Sequence, residues 1–277
     1  MLRHMRFPGG LLRAVTLSYD DGIFSDIKLM DIINESGIKC TFNINSGIFG
    51  SENAASPHER LTEAQALALY KNSGHEIAVH TLTHPFLQDI SPAEAAHEVL
   101  GDRENIEKIF GTVVRGMAYP FGTYNDTVVN ILKGCGIAYS RTTQSTGKFA
   151  VEADWLRLKP TCHHTDTNLF SLCGDFLKEP ERSFYAQPRV FYMWGHSYEF
   201  DDNNNWDILI KFCDLMGGKE NIWYATNIEI YDYVKAYNSL IFSADGKTCI
   251  NPTSYDIFFE QEYKPYRIKS GETLIIG

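Results

Sequence analysis

Basic clusters and long apolar segments are both missing from this sequence. Its 25 Lys and Arg residues are scattered and are outnumbered by 35 Asp and Glu, so the formal net charge is −10. The sequence therefore offers no basic surface for a phosphate backbone, and nucleic acid is an unfavourable partner. No segment reaches the roughly 18 to 20 uninterrupted apolar residues of a spanning helix, and the N-terminus lacks the apolar core of an export signal. We therefore expect no insertion into a membrane.

Closely paired cysteines are also absent. The six cysteines stand singly, mostly beside apolar neighbours, and no two have the CxxC spacing of a zinc or redox site. Isolated thiols of this kind are typical of reduced, buried side chains. We therefore predict a cytoplasmic protein, with the alternatives that the thiols pair or that an export signal has been trimmed. These cysteines are Cys40, Cys135, Cys162, Cys173, Cys213 and Cys249.

Short β-rich runs alternate with longer amphipathic stretches over most of the chain. Helix start signals stand between the runs, including capping boxes that begin at Thr62 and Ser91, and Gly111 is a helix stop. Regular alternation of this kind predicts an α/β fold with a parallel sheet, a (β/α) barrel that is closed or nearly closed. The predicted strands are residues 14–19, 40–45, 75–80, 113–119, 136–141, 190–194 and 222–224.

Two regions depart from this alternation. Residues 142–188 are too long for one connection and are predicted to hold an extra strand and a helix near 169–177. Residues 239–277 carry turn signals between short Ile, Phe and Tyr runs. We therefore divide the chain into a barrel at residues 1–238 and a small β-rich extension at residues 239–277 that packs on the barrel.

Acidic and imidazole side chains follow two of the predicted strands. Asp20 and Asp21 follow the first strand, and His80 and His84 follow the third. In a parallel barrel the reactive groups lie beyond the C-terminal ends of the strands. Two imidazoles four residues apart can chelate an ion such as Zn²⁺, and with Asp21 they make an open site of one carboxylate and two imidazoles. An acidic turn and a chance His pair are the alternatives for each feature taken alone.

Two further strand ends supply a hydrogen-bond donor and an acid. Pro120 lacks an N–H, which leaves the backbone N–H of Phe121 as a candidate donor to an oxyanion. His196 follows a very apolar strand, and an imidazole titrates near working pH. With Asp20 as the base, His196 would protonate a leaving group, and an amine needs that proton more than an alcohol does. An ordinary turn and a structural histidine are the alternatives here.

Four motifs, in this order, resemble those of the NodB-like polysaccharide deacetylases, carbohydrate esterase family 4. They are YDDG at residues 19–22, HTLTH at 80–84, YPFG at 119–122 and WGH at 194–196. The resemblance spans about residues 15–237 and implies a distorted (β/α)7 barrel that removes N-acetyl or O-acetyl groups from sugars. It also implies one divalent metal, usually Zn²⁺, with Co²⁺ or Ni²⁺ often accepted. By this resemblance Asp20 matches the base, Asp21, His80 and His84 the metal ligands, Phe121 the oxyanion donor and His196 the acid.

One position departs from the family pattern beside the base. Ala118 stands where many members carry an arginine that orients the base. Arg157, Arg115 and Arg141 are the candidates to replace it. Arg157 is favoured because it lies in a strand-like run.

Three aromatic residues are predicted on the substrate side of the site. Trp155, which follows Asp154, resembles the family's Asp-Trp pair that backs the acid and walls the pocket, although the spacing is loose. Trp194 replaces a smaller apolar residue that touches the acetyl methyl group, which predicts a narrow acyl pocket. Tyr119 lies at the rim, where an aromatic ring can stack on a sugar. A second metal cluster at residues 162–164 is disfavoured because adjacent histidines in a strand point to opposite faces.

We therefore predict a metal-dependent hydrolase that removes acetyl groups from a saccharide, with N-acetyl favoured over O-acetyl. The net charge of −10 disfavours polyanionic glycans and favours neutral sugars, or sugars that become cationic on deacetylation. Two alternatives stay open. One is a metal-dependent hydrolase of a small non-sugar amide or cyclic imide, and the other is a non-catalytic barrel that binds carbohydrate.

Overall fold

The computed structural model of the protein describes residues 2–151, 153–178 and 186–277. Within these ranges, strands and α-helices alternate along most of the chain. The strands are β1 (Arg3–Arg6), β2 (Arg13–Asp20), β3 (Cys40–Ile44), β4 (Glu76–Val79), β5 (Gly116–Ala118), β6 (Tyr139–Arg141), β7 (Cys162–His163), β8 (Arg189–Gly195), β9 (Trp223–Tyr224), β10 (Ile241–Phe242), β11 (Thr248–Ile250), β12 (Ile257–Gln261), β13 (Lys264–Ile268) and β14 (Thr273–Ile275). The helices are α1 (Asp26–Glu35), α2 (Glu63–Tyr70), α3 (Pro92–Phe110), α4 (Asp126–Gly134), α5 (Leu169–Leu177), α6 (Tyr198–Asp202), α7 (Trp206–Met216) and α8 (Asn227–Asn238).

Seven parallel strands form the wall of a barrel. Their order is β6-β5-β4-β3-β2-β8-β7, and β9 pairs with the start of β2. The chain between β6 and β8 brings the two edges together, because Leu158 bridges to Arg141 and β7 pairs with β8. The sheet therefore curls into a nearly closed barrel. The predicted fold, a distorted (β/α)7 barrel with a C-terminal β appendage, is confirmed.

The predicted elements are present with small changes in their bounds. The seven predicted strands are β2 to β6, β8 and β9, and the extra strand and helix predicted within residues 142–188 are β7 and α5. Residues 152 and 179–185 of that region lie outside the described residues. Thr62 and Ser91 form the predicted capping boxes, and Gly111 ends α3 with a φ of 70°. Local start and stop signals therefore determine where these helices lie.

Strand β2 shows how the fold prepares the site. All eight of its residues are buried, because one face lies inside the barrel and the other is covered by helices. Leu17 and Tyr19 belong to the main apolar core. Ser18 and Asp20 alternate with them and face the interior, where the Nδ2 of Asn43 donates to Ser18 Oγ at 2.8 Å. Asp20 therefore reaches the carboxyl end of β2 on the inner face.

The N-terminal strand belongs with the C-terminal extension. Strand β1 pairs antiparallel with β12, which continues to β13, while β10, β11 and β14 form a second small sheet. The hydroxyl of Tyr233 on α8 donates to the carbonyl of Arg6 at 2.7 Å and accepts from the N–H of Phe258 at 2.9 Å. The extension is therefore tied to the barrel, and the division at residue 238 stays a prediction.

The structure tests the expectations about the cysteines and about membrane-spanning helices. All six cysteines are buried and unpaired, as predicted. Among the helices that the structure describes, none combines the length and the apolar character needed to cross a membrane.

Candidate active site

A cleft of about 390 Å³ opens at the carboxyl ends of the barrel strands. The features predicted separately at four strand ends meet there, as expected for a parallel barrel. Thr143 and Tyr198 also line it. The predicted residues in its wall are Asp20, Asp21, His80, His84, Tyr119, Phe121, Trp194 and His196.

The three predicted metal ligands lie together. Asp21, His80 and His84 each bring one ligand atom within 4.8 Å of the others. The Nδ1 of His80 donates to the carbonyl of Ala118 at 2.9 Å, which leaves a lone pair on Nε2. The carboxylate of Asp21 accepts a hydrogen bond from Arg60 at 3.1 Å. One carboxylate and two oriented imidazoles fit an ion such as Zn²⁺, so these residues can hold a divalent metal.

Four residues at this cleft other than glycine have a positive φ. A positive φ costs a residue with a side chain about 1–3 kcal/mol and persists only where the surroundings hold it. The hydroxyl of Thr81 accepts from the N–H of His84 at 3.1 Å, and Asn45 donates to the carbonyl of Thr81 at 2.9 Å. Strain therefore marks two predicted ligands and the predicted oxyanion donor. The φ angles are 84° at Asp21, 70° at Thr81, 60° at His84 and 57° at Phe121.

The carboxylate of Asp20 is buried against an arginine. The Nη2 of Arg141 donates to both carboxylate oxygens, at 2.5 Å to Oδ1, and Asn43 Nδ2 donates to Oδ1 at 2.9 Å. Burial raises the pKa of Asp20, but the Arg141 guanidinium and the imidazoles of His80 and His196 outweigh burial and lower it below its usual value. Asp20 is therefore ionised at neutral pH and available to accept a proton.

The structure corrects the choice of arginine made from the sequence. Arg157 lies in a short 3₁₀ turn, and its guanidinium pairs on the surface with Asp154 at 2.8 Å and Asp126 at 2.6 Å. Arg141 is the last residue of β6, whose carboxyl end opens into the cleft, and its side chain is fully buried. Arg141 therefore occupies the place beside the base that was assigned to Arg157.

The structure also separates the predicted aromatic residues. Trp194 lines the cleft, and the guanidinium of Arg141 lies 4.5 Å from the centre of its ring. Tyr119 lines the cleft with its ring while its hydroxyl donates to the carbonyl of Leu156 at 2.7 Å. Trp155 packs edge to face on Tyr231 at 5.1 Å, in a second apolar core. The placement of Trp155 in the pocket wall is therefore corrected, because its ring fills the core beside α8.

His196 faces Asp20 across the cleft. Its Nε2 lies 3.9 Å from Asp20 Oδ2, and its Nδ1 lies 3.1 Å from Glu199 Oε1. Burial lowers the pKa of His196, but the hydrogen bond with Glu199 and the charges of Asp20 and Asp21 raise it above its usual value. The imidazole is therefore disposed to carry a proton, as an acid must.

Two residues of the site were not identified from the sequence. Arg60 donates from Nη1 to the carbonyl of Asp21 at 2.6 Å, and it lies in a loop 39 residues further along the chain, so no local spacing points to it. Glu199 lies three residues after His196, at the start of α6. That spacing brings two side chains together on a helical turn, so a signal for Glu199 was present.

Comparison with known proteins gives the same family as the motifs. A family model described as polysaccharide deacetylase matches residues 12–140. A chitin deacetylase from Colletotrichum lindemuthianum is 25% identical over 57% of this chain and 59% of its own length. A chitooligosaccharide deacetylase from Bradyrhizobium is 29% identical over 46% of this chain and 54% of its own length. The chain therefore spans less than two thirds of the length of either relative.

A solved structure shares the fold. The family 4 carbohydrate esterase from Streptomyces lividans, determined with acetate, superposes with a TM-score of 0.51 over 76% of this chain and 91% of its own, at 15% identity. The matched residues 12–140 include Asp20, the three predicted ligand residues and Phe121. Residues 12–140 are therefore similar to the polysaccharide deacetylase family, and the barrel has the fold of a family 4 carbohydrate esterase.

Proposed function

We propose that the protein is a metal-dependent deacetylase that hydrolyses N-acetyl groups, in preference to O-acetyl groups, on a saccharide. One observation carries the proposal. The arginine-paired carboxylate of Asp20 and the imidazole of His196 face each other at 3.9 Å beside a three-ligand group. Similarity to proteins named chitin deacetylase and chitooligosaccharide deacetylase supports the saccharide as substrate.

The base and the metal ligands lie together in the cleft. A divalent ion, most favourably Zn²⁺, held by Asp21, His80 and His84 would act as a Lewis acid and would make the attacking water more acidic. Asp20 takes the proton of that water. Arg141 keeps the carboxylate of Asp20 ionised and fixes its direction, since it donates to both oxygens.

Phe121 and His196 serve the oxyanion and the leaving group. The backbone N–H of Phe121 donates to the oxyanion as the water attacks the acetyl carbonyl. His196 then gives a proton from Nε2 to the leaving nitrogen. An amine is a poor leaving group without that proton, which is why a raised pKa at His196 suits amide hydrolysis.

An exposed aromatic pair beside the ligands favours a saccharide over a small amide. The rings of Phe86 and Phe121 stack with their centres 3.7 Å apart and are 42% and 48% exposed. The ring of Phe121 also meets that of His84 at 4.5 Å. Exposed aromatic rings next to a reactive cleft can cover the apolar face of a neighbouring sugar unit. A small amide would leave both rings in water.

Acetate release from N-acetylated oligosaccharides of increasing length, with Zn²⁺, Co²⁺ or Ni²⁺ added back, tests the proposal. We expect release to increase with length. Phe86→Ala should lower kcat/KM about fivefold on oligomers and less than about twofold on the monomer, since a stacked ring contributes about 1 kcal/mol. Tyr263→Ala, which removes an exposed ring of the extension, is the matched control.

Other outcomes of that assay contradict the proposal. Turnover of cyclic imides without turnover of any acetylated sugar would indicate the small-amide hydrolase. A protein that binds metal and oligosaccharide but hydrolyses neither class would be a carbohydrate-binding barrel.

Exchanging the arginine beside the base gives a second test. Arg141→Lys is expected to lower kcat about 10- to 100-fold, because an ammonium offers a point charge in place of a guanidinium that bonds both oxygens. Arg157→Lys is expected to change kcat less than about twofold, since Arg157 pairs on the surface. Steady-state kinetics of the two variants decide between the residues. A larger loss in Arg157→Lys would contradict the assignment of Arg141.

A further inference from the structure

Behind His196, one carboxylate contacts three imidazoles. Glu199 Oε1 accepts from Nδ1 of His196 at 3.1 Å. Its other oxygen, Oε2, lies 2.9 Å from Nε2 of His164 and 3.2 Å from Nε2 of His163. The side chain of His164 is fully buried, and those of His163 and Glu199 are mostly buried. This carboxylate is hydrogen-bonded to the proposed acid.

Strand alternation predicts that the adjacent residues His163 and His164 point to opposite faces. In the structure their side chains point towards the same carboxylate. Strand β7 ends at His163, so the alternation does not extend to His164. The two rings lie 4.4 Å apart, with 40° between their planes. Both therefore turn towards Glu199.

The remaining partners of these imidazoles show where their protons lie. The backbone N–H of Thr165 donates to Nδ1 of His163 at 3.2 Å, so a neutral ring carries its proton on Nε2. The Nδ1 of His164 lies 3.2 Å from the hydroxyl of Tyr19. A phenol is protonated at neutral pH, so the hydroxyl of Tyr19 can donate to this nitrogen. Both Nε2 atoms lie within ion-pair distance of Glu199 Oε2, at 3.2 Å and 2.9 Å, although neither contact has hydrogen-bond geometry.

Packing holds His164 in this orientation. Its ring stacks on Phe200 at 4.1 Å and on Tyr19 at 5.7 Å. A Cβ at Gly195 would overlap Nδ1 of His164, so glycine is needed immediately before His196. The cluster therefore ties β2, β7, β8 and α6 together around one carboxylate.

We propose that Glu199, held by His163 and His164, is the positioning residue of His196. It accepts the Nδ1 proton of His196 and so directs Nε2 towards Asp20 and the leaving nitrogen. This inference rests on the proposed function, in which His196 is the acid. When the Nε2–H bond breaks and the proton moves to the leaving nitrogen, His196 becomes neutral and keeps Nδ1–H on Glu199. The sequence resemblance suggested that Asp154 backs the acid. In this proposal Glu199 on α6 has that role.

Substitution of the carboxylate by its amide tests the proposal. Glu199→Gln keeps the shape of the side chain but removes its charge, so kcat on an N-acetylated sugar should fall about 100-fold with KM changed less than about twofold. Activity on 4-nitrophenyl acetate, whose leaving group needs no proton, should fall less than about threefold. Equal losses on both substrates would indicate a merely structural role and overturn the proposal. Glu104→Gln, on an exposed part of α3, is the matched control.

A spectroscopic measurement tests the same cluster without relying on activity. In the ¹⁵N-histidine-labelled protein at alkaline pH, long-range ¹H–¹⁵N correlations should show His163 and His164 protonated at Nε2 and His196 at Nδ1. In Glu199→Gln, His196 should show a mixture of tautomers. If the expected tautomers are observed but the protein deacetylates no substrate, the proposed function is refuted and the positioning role of Glu199 is not. Protonation of His163 and His164 at Nδ1, or a second bound zinc lost in His163→Gln, would overturn the proposal.

Discussion

Asp20→Asn is expected to lower kcat for deacetylation about 10³- to 10⁴-fold while the protein keeps its metal. General base catalysis supplies about 10²- to 10⁴-fold, and an amide cannot take a proton from water. The substitution also removes the negative charge that lies 3.9 Å from His196 and raises the pKa of His196, so a smaller fraction of His196 carries the proton that the leaving group needs. Acetate release measures the loss, and metal analysis of the purified variant measures the retained ion.

The same substitution has a second expected effect, on stability. Arg141 is fully buried, and removing its partner charge leaves it unpaired, which costs about 3–5 kcal/mol. Thermal unfolding of the metal-loaded variant should therefore show a lower Tm, and kinetics should be measured well below it. Asp126→Asn, which neutralises a carboxylate that is 91% exposed, is the matched control. Full activity in Asp20→Asn would show that Asp20 is not the base, and loss of the metal would show that it is a ligand.

The rim of the barrel was predictable because strand ends and motifs coincide there. Asp20, His80, Phe121 and His196 each follow a predicted strand, and the structure brings all four into one cleft. The same rule points to Arg141, since the predicted strand 136–141 ends on it. Arg157 was chosen instead because its neighbours alternate like a strand, whereas they form a 3₁₀ turn on the surface. The position of an arginine at a strand end therefore predicted the partner of Asp20 better than the strand-like pattern of its neighbours did.

Other contacts depend on geometry that no short spacing records. Trp155 resembles a motif residue, but its ring is drawn into the core beside α8. Arg60 reaches Asp21 from a distant loop. The pairing of β1 with β12 joins residues about 250 positions apart. Each of these contacts follows from how the whole chain packs, so the sequence alone predicted the reactive groups better than their supports.

Removal of one imidazole is expected to abolish metal binding and activity together. In His80→Ala the ligand set falls to Asp21 and His84, which leaves two donors where an open Zn²⁺ site needs three. We expect zinc affinity to fall by more than the 10- to 100-fold that loss of an outer hydrogen-bond partner costs. Deacetylation should fall below detection, because no ion remains to acidify the water from which Asp20 takes a proton.

The change in Tm on adding zinc distinguishes loss of metal binding in His80→Ala from general destabilisation of the fold. An ion that binds only the folded protein stabilises it by about 2.7 kcal/mol at 100 times its Kd. For a chain of this size, that free energy corresponds to a Tm increase of about 5–10 °C. We expect zinc to raise the Tm of the wild type and of His97→Gln, an exposed histidine of α3, but not that of His80→Ala. Because His80 is buried, His84→Ala is the second variant, with its imidazole nearer the surface. If zinc stabilises both variants as much as it stabilises the wild type, the ion is held by other residues. Asp20 would then have to take its proton from a water that this ion does not activate.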